Sequence, residues 1–427
     1  MKKNIRIGVI GCGTVGSCFI KHFNQKKRLF KNRTGIDFSL VKVSDRNAGK
    51  KKLFPSLYTP VIEEITSGKD VDIVVELIGG VEPAYTFIKN AIRSGKSVVT
   101  ANKALLSEKS VELFALAEKH NVHLGFEASV ASAIPIIKSL RESLVGNNIS
   151  RLMAILNGTT NYILTQMSIH GGNFSQALEK AQKSGYAEAD PTLDIEGLDT
   201  AHKLSILSAL AFNKPVSWRK IFSEGIKKVD TLDIKFAGDF GYRVKLLAIA
   251  KRQGSKVELR VHPTFLPQNH MLSGVEDVYN AVYIEGDMSG KSLMYGEGAG
   301  GNAAASGAIG DVIDIGKKLA AGNNMRLPLT YENKKLSVVP IKDISTRYYF
   351  RFTVPDKPGV LAKITDVLGR NGISIASVIQ KEESKDFAVP VVILTHTAKE
   401  KDVQKSLREI GRLSIVKFPT VLIRVEE

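Results

Sequence analysis

Three clusters of residues in this chain have types and spacings that could carry chemistry. The first is Gly11-Cys12-Gly13-Thr14-Val15-Gly16, a G-x-G-x-x-G run that follows the apolar stretch Ile5–Ile10. In that setting Gly11 permits a tight turn, Gly13 lets the backbone approach a pyrophosphate, and Gly16 lets the next helix pack on its sheet. A helix opening at Thr14 and Val15 would offer its free N–H groups to phosphate. A glycine-rich turn without a ligand is the alternative. The second cluster is Val98-Val99-Thr100-Ala101-Asn102-Lys103, which places a lysine just beyond an apolar run, as chemistry or as an ordinary surface lysine. The third runs from Gly185 to Lys203 and gathers Glu188, Asp190, Asp194, Glu196 and Asp199 before or beside Lys203. Asp199 and Lys203 are four apart, so a helix there sets both on one face. Alone, such a pair is usually an exposed ion pair. So many carboxylates in a loop ordered by Pro191 and two glycines suit a cationic amino-acid substrate.

Positioning these groups requires regular elements. Strand-like runs at Ile5–Ile10, Leu40–Val43, Ile73–Leu77, Val98–Thr100 and Val122–Phe126 alternate with amphipathic stretches such as Ala84–Ser94 and Ser107–His120. That alternation predicts βαβ units in a parallel, doubly wound α/β sheet. Ligands of such sheets lie beyond the carboxyl ends of the strands. Leu77-Ile78-Gly79-Gly80 and the approach to Lys103 fall at such ends. The second strand ends in Val43-Ser44-Asp45-Arg46; Asp45 would bind a ribose 2′-hydroxyl and favour NAD, whereas Arg46 with Lys50 to Lys52 would accept a 2′-phosphate and favour NADP. The preference stays open, because Asp45 lies farther from Gly16 than the usual spacing. Residues 131–300 hold helices at Pro135–Leu144, Asn161–Met167, Ser175–Lys183 and Asp199–Phe212, then strands at Val257–Val261 and Ala281–Glu285. A second glycine cluster, GEGAGG at 296–301, precedes a helix over Ala303–Leu319. The polar stretch 323–342 reads as a linker. The last unit, 343–427, reads β-α-β-β-α-β, the order of a ferredoxin-like sandwich.

The composition sets limits. At 427 residues the chain has room for about three domains. The 60 Lys+Arg against 43 Asp+Glu give a net charge of +17, which raises the question of nucleic acid. The basic residues are scattered, however, and the short runs at Lys26 and Lys50 lack interleaved aromatics, so a solvated surface is expected and no nucleic-acid partner. Cys12 and Cys18 cannot form a disulfide framework, which fits a reducing cytoplasm. No apolar run reaches the ~20 residues of a membrane span, and glycines interrupt the N-terminal stretch too soon for a signal peptide.

The stretch Ala181, Gly185, Asp190-Pro191, Asp194, Gly197, Asp199 and Lys203 resembles the signature of the homoserine dehydrogenases. GCGTVG, VVTANK, Glu127-Ala128-Ser129-Val130 and GEGAGG extend the resemblance over about the first 320 residues. It implies NAD(P)-dependent interconversion of L-homoserine and L-aspartate 4-semialdehyde, within threonine and methionine biosynthesis. The implied organisation is a Rossmann domain at 1–130, completed by a returning helix at 301–322, and a catalytic and dimerisation domain at 131–300, in a homodimer or homotetramer. By the resemblance, Lys203 is the general acid/base and Lys103 its partner at the substrate oxygen. Glu188 and Asp199 hold homoserine, Asp194 supports them, and Gly185 touches the cofactor. Gly11, Gly13, Thr14, Val15, Gly16, Thr100, Gly298 and Gly300 line the dinucleotide, with Lys103 also adjoining it. The family also carries a monovalent cation, Na or K, near Glu127, whose backbone ligands fall here on Val130, Ser132 and Ile134. The sequence departs from many relatives there, with Ser132-Ala133 where glycines are common and Glu297 where arginine is common. The chemistry agrees with these roles. Hydride reaching an aldehyde carbon leaves an alkoxide that must take a proton. A lysine supplies one when a neighbouring cation, here Lys103, disfavours its charged form.

The last unit resembles an ACT domain, an amino-acid-sensing module, with Asp356-Lys357-Pro358-Gly359 as its loop. Asp356 and Gly359 would adjoin the effector, and the resemblance points to threonine. A dimerisation unit without a ligand is the alternative. For the whole chain the alternatives are another NAD(P) oxidoreductase of a related amino-acid semialdehyde and a non-catalytic amino-acid-binding regulator.

Overall fold

The computed structural model describes residues 4–322, 336–380 and 388–427. The chain forms two compact units: Met1–Ile149, His202–Lys220 and Asn280–Lys334 in the first, and Ser150–Ala201, Ile221–Tyr279 and Lys335–Glu427 in the second.

The first unit opens with the expected alternation: β1 (Asn4–Ile10), α1 (Thr14–Thr34), β2 (Asp37–Ser44), β3 (Ile73–Glu76), α2 (Ala84–Arg93), β4 (Ser97–Thr100), α3 (Lys103–Lys119) and β5 (Leu124–Gly125). The strands form a parallel sheet in the order β2-β1-β3-β4-β5, the Rossmann-type arrangement that the sequence predicts. Strands β3 and β4 are buried at every residue, as a sheet covered on both faces requires. Helix α3 begins four residues before the apolar periodicity suggests. Asn102 caps it, with Oδ1 accepting from the Leu105 backbone N–H at 3.0 Å, and Lys103 becomes its first residue.

The middle of the chain contains β6 (Ile149–Ile155), α4 (Gly158–His170), α5 (Phe174–Lys183), α6 (Leu198–Phe212), β7 (Phe222–Ser223), α7 (Thr231–Asp239), β8 (Tyr242–Gln253) and β9 (Lys256–Pro267). In the second unit β6 pairs antiparallel with β8, and β8 and β9 form a hairpin in register from Gln253↔Lys256 to Tyr242↔Pro267. The sequence reading has no strand at β6 or β8. The run Val244–Ala250 is buried throughout, so it lacks the alternation that marks a strand with one wet face. Strands β10 (Tyr279–Gly286) and β11 (Gly290–Glu297) are neighbours, and α8 (Gly301–Ala320) follows. Within the first unit α8 shares a core with β1 and α1, through Ala305, Ala308 and Val312 against residues such as Phe19 and Phe23. The approach is close at Gly316, where an added Cβ would lie 2.3 Å from the Phe38 ring.

Of the stretch read as a linker, residues 323–335 lie outside the described residues, and Ser337–Val338 form β12 on β9. The rest of the second unit is β13 (Ser345–Val354), α9 (Val360–Arg370), β14 (Ile375–Gln380), β15 (Val389–Thr395), β16 (Ala398–Lys399), α10 (Glu400–Ile410) and β17 (Val421–Val425). The order β17-β13-β15-β14 is the ferredoxin-like sheet expected of an ACT domain, with α9 and α10 packing on Tyr348, Phe350 and Phe352. This sheet does not end at β17. Arg424↔Thr264 and Val425↔Phe265 pair β17 parallel to β9, so the module continues the β8–β9 layer. Buried ion pairs cross that seam. Arg260 of β9, 1% exposed, is bound by Glu426 at 2.6 Å, and Asp233 of α7 is bound by Arg351 at 2.6 Å.

Candidate active site

At the end of β1 the chain turns through Gly11, whose φ of +100° suits a residue without Cβ. A Cβ on Gly16 would fall 1.9 Å from the Gly11 carbonyl oxygen, so the turn and α1 close on each other only because Gly16 is bare. At Gly13 a Cβ would meet nothing within 4 Å, and no side chain caps α1. An open cradle at an uncapped helix N-terminus suits a pyrophosphate. Asp45, just after β2, accepts from the Cys12 N–H at 2.6 Å and the Asn47 N–H at 2.8 Å, which fixes a carboxylate beside the glycine turn. Arg46 is exposed, and Lys50 to Lys52 form the last turn of a short 3-10 helix.

The strand ends next to it are joined by a buried network that the sequence reading missed. Glu76, fully buried, accepts from the Thr100 hydroxyl at 2.5 Å and the Ile78 N–H at 2.8 Å. Burial pushes its carboxyl up to about 7 against those hydrogen bonds. Asn102 donates to the carbonyls of Gly80 at 2.6 Å and Ile78 at 3.3 Å, while its own N–H donates to Thr100 Oγ1 at 3.0 Å. Strand ends β3 and β4 are thereby locked, and half-buried Lys103 starts α3 from a fixed point. An asparagine before a helix is a readable cap signal; a glutamate ending a run of Ile and Val is the other clue.

In the second unit the acidic motif is held by another unforeseen residue. Asn157 follows β6 and caps α4, its Oδ1 accepting from the Thr160 N–H at 2.8 Å. Its Nδ2 donates to Asp194 at 2.6 Å and to Asp199 at 2.9 Å, which brings the two carboxylates together. Asn157 and Asp199 are buried at 5% and 3% exposure. The signal was the asparagine of Asn157-Gly158-Thr159-Thr160, a polar cap directly after a strand. Glu188 is exposed, and its loop is fixed through backbone: Gln182 donates to the Glu188 carbonyl at 3.1 Å and Thr159 to the Tyr186 carbonyl at 2.6 Å. Gly185, with φ +75°, ends the turn after α5. Helix α6 carries Asp199 at its start and Lys203 one turn later; Lys203 is buried to 6% exposure.

The remaining predicted positions are placed as follows. Glu127 accepts from the Ile137 and Lys138 N–H groups at 2.7 and 2.9 Å, and burial pushes its carboxyl up to about 7. Val130 leads into Ala131, which has the positive φ of +47°. Ser132 donates its N–H to the Gly298 carbonyl at 3.2 Å, and the Ile134 carbonyl accepts from Ile136 at 2.7 Å. Gly298 is compelled by packing, since a Cβ there would lie 1.9 Å from the Asn280 amide nitrogen. Gly300, with φ +108°, opens α8 over free space. In the last module Asp356 accepts from Gln380 at 3.0 Å, and Gly359, with φ +84°, precedes α9.

Known proteins place this geometry. Family models match at residues 11–127 (homoserine dehydrogenase, NAD binding domain), 135–313 (homoserine dehydrogenase) and 348–414 (ACT domain). The homoserine dehydrogenase of Neisseria gonorrhoeae is 41% identical over 430 residues, covering 99% of both chains. That of Helicobacter pylori is 41% identical over 427 residues, covering 100% of both. A crystal structure of a homoserine dehydrogenase from Thiobacillus denitrificans superposes with a TM-score of 0.93 at 40% identity, covering 100% of this chain and 99% of that one. A hyperthermophilic archaeal homoserine dehydrogenase in complex with NADPH gives 0.63 at 30% identity over 73% of this chain and 97% of its own. Matched from end to end, on a fold carrying both the glycine turn and the acid–lysine helix, the chain belongs to the homoserine dehydrogenase family, NAD(P)-dependent oxidoreductases that interconvert L-homoserine and L-aspartate 4-semialdehyde.

Proposed function

We propose that Lys203 is the proton donor in reduction and the proton acceptor in oxidation, with Lys103 at the same substrate oxygen. The observation that carries this reading is the Asn157-clamped pair Asp194 and Asp199 at the entrance of α6, one turn ahead of buried Lys203. The nicotinamide, when bound, supplies or accepts the hydride. Asp199 and Glu188 bind the amino acid's ammonium group, and Asp194 supports Asp199 through Asn157. Gly11, Gly13, Thr14, Val15 and Gly16 hold the pyrophosphate, Asp45 the ribose, and Thr100, Gly185, Gly298 and Gly300 line the dinucleotide. The carboxylate of Asp45 favours NAD; exposed Arg46 would serve NADP, the phosphorylated cofactor found with the archaeal relative.

The reading extends to parts of the chain beyond the reacting groups. Residues 1–130 with 301–322 act as the dinucleotide-binding domain, 131–300 as the catalytic and dimerisation domain, 323–342 as the linker and 343–427 as the regulatory ACT domain. A Na or K ion would be held near Glu127 by the carbonyls of Val130, Ser132 and Ile134, each carbonyl having a second lone pair to give. Threonine is the effector, at Asp356 and Gly359. The chain works in the cytoplasm, in keeping with free Cys12 and Cys18, and as a homodimer or homotetramer, in keeping with the exposed edge strand β11 and its Tyr295.

The test is the absorbance of reduced nicotinamide, with homoserine and each dinucleotide in turn, for the parent and Lys203→Ala. Loss of kcat by about a thousandfold or more in the variant is expected of a lost general acid/base. A raised KM with kcat intact would make Lys203 a binding residue.

A further inference from the structure

Arg424 is the penultimate residue of β17, and its side chain is 2% exposed. Its guanidinium makes two kinds of contact. Nε and Nη2 bind Glu400 of α10 at 2.8 and 2.6 Å, a bidentate pair that already balances the charge inside the module. The remaining Nη1 reaches outside the module, to Glu224 at 2.8 Å, and the guanidinium lies 4.8 Å above the Phe222 ring.

Glu224 directly follows β7, which pairs with β9 at Arg260 and Val261, and its N–H donates to the Val261 carbonyl at 2.8 Å. The next two residues meet the acidic motif. A Cβ on Gly225 would stand 2.2 Å from the Ile195 carbonyl oxygen and 2.6 Å from the Glu196 Cα, so the two backbones touch at a glycine. Ile226 donates to that same carbonyl at 2.9 Å. From the other side, a Cβ added to Gly197, whose φ is +79°, would lie 3.1 Å from the Val261 side chain and 3.5 Å from the Glu224 carbonyl oxygen. The turn Ile195-Glu196-Gly197 is thus seated in a socket made by residues 224–226 and Val261. Asp194 immediately precedes this turn and Asp199 lies in the first turn of α6 just after it. A shift of the socket by a fraction of an ångström therefore moves both carboxylates that Asn157 clamps.

We propose that Glu224, gripped by Arg424 of the C-terminal module, is a positioning residue that seats the turn Ile195–Gly197 and thereby sets the substrate-binding carboxylate Asp199 and its support Asp194. This rests on the reading that Asp199 binds homoserine and Asp194 supports it. The design has a consequence for regulation. One guanidinium serves a carboxylate within the ACT module and another within the catalytic layer, so a displacement of α10 that moves Glu400 alters the grip on Glu224. Substrate affinity is the quantity the module controls through this contact.

Glu224 is partly exposed, so Glu224→Gln keeps an acceptor, removes the charge and leaves the Arg424–Glu400 pair intact. The expected result is a homoserine KM raised by about tenfold, with kcat and dinucleotide KM changed less than about twofold, because the perturbation reaches ground-state seating and not the proton transfer. Gly225→Ala, which pushes a methyl into the Ile195 carbonyl, is expected to move the same KM in the same direction, and Glu224→Asp to recover part of the loss. Arg424→Lys with Glu224→Gln closes a double-mutant cycle, in which the two KM effects should be far from additive. An unchanged homoserine KM in folded Glu224→Gln overturns the proposal. So does a dinucleotide KM that moves as far as the homoserine KM. If the parent does not turn over homoserine at all, it is the functional reading that fails, and the two failures are distinct.

Discussion

Replacing Asn157 by aspartate changes one donor into an acceptor at the most constrained point of the acidic motif. The side chain is 5% exposed, gives Nδ2 to Asp194 at 2.6 Å and to Asp199 at 2.9 Å, and caps α4 through Oδ1. Aspartate caps a helix as well as asparagine does, so the fold of α4 is retained. Three carboxyl groups would then share one site. Two unit charges about 4 Å apart at an effective dielectric near 20 repel by ~4 kcal/mol, enough to raise one carboxyl of the cluster by up to ~3 pH units. The proton so taken up belongs to the cluster, and the protonated cluster regains a donor. Near pH 8 the donor is lost and the repelling carboxylates spread out of register, so the homoserine KM of Asn157→Asp should rise by about tenfold even though the added charge itself attracts the ammonium group. It should recover as the pH is lowered toward about 6, where the shared proton restores the clamp. Stability follows the same sign. A carboxyl raised in the folded state costs nothing below its unfolded value and its full penalty above the raised one, so the variant's Tm should fall as pH climbs. Initial rates against homoserine at several pH values, with thermal unfolding in the same buffers, give both readouts. An unaltered homoserine KM and pH profile would refute the assignment of Asp199, supported by Asp194, to the substrate. A lowered Tm alone would leave Asn157 a structural clamp of Asp194 and Asp199 with no part in binding.

Two further outcomes follow from particular atoms. Gly13→Ala places its methyl in empty space, so Tm should stay within about 2 °C while dinucleotide affinity drops at least about tenfold by titration; Gly16→Ala, aimed 1.9 Å from the Gly11 carbonyl, should lose both. Glu76, pushed by burial to about 7 from 4.5, is penalised as pH rises through that window, by ~3 kcal/mol at most. Glu76→Gln should thus match the parent near pH 4 and gain ~2 kcal/mol above about pH 8 in denaturant unfolding; a constant offset at every pH would contradict the assigned burial cost.

The parallel sheet and the terminal β-α-β-β-α-β module were legible because their patterns are local. Glycines at fixed offsets, apolar runs of strand length and the 3.6-residue repeat of Val360, Ile364, Val367 and Leu368 each identify an element without its neighbours. The β6 and β8 strands were hidden for the opposite reason: Val244–Ala250 is buried on both faces, which erases periodicity. The acidic loop and Lys203 stood out by charge density, whereas Glu76, Asn102 and Asn157 did not. Each of these acts through partners 22 to 42 residues away, and a single polar residue carries no mark of such a bond in the sequence. The continuation of the ACT sheet onto β9 was illegible for the same reason, since it joins residues more than 150 positions apart.

That long joint bears on how the chain matures during synthesis. Arg260 and Glu426 are separated by 166 positions, so at about 5–20 residues per second the ribosome takes roughly ten to thirty seconds to deliver the anion after the cation. Throughout that interval the β8–β9 hairpin has an edge that β7 covers only at Arg260 and Val261, and a guanidinium whose last partner has not yet been made. The nascent catalytic layer therefore keeps a buried cation incompletely paired until Glu426 has been made, and codon changes that slow the stretch between Arg260 and Glu426 should lower the yield of native enzyme more than equal delays placed before it.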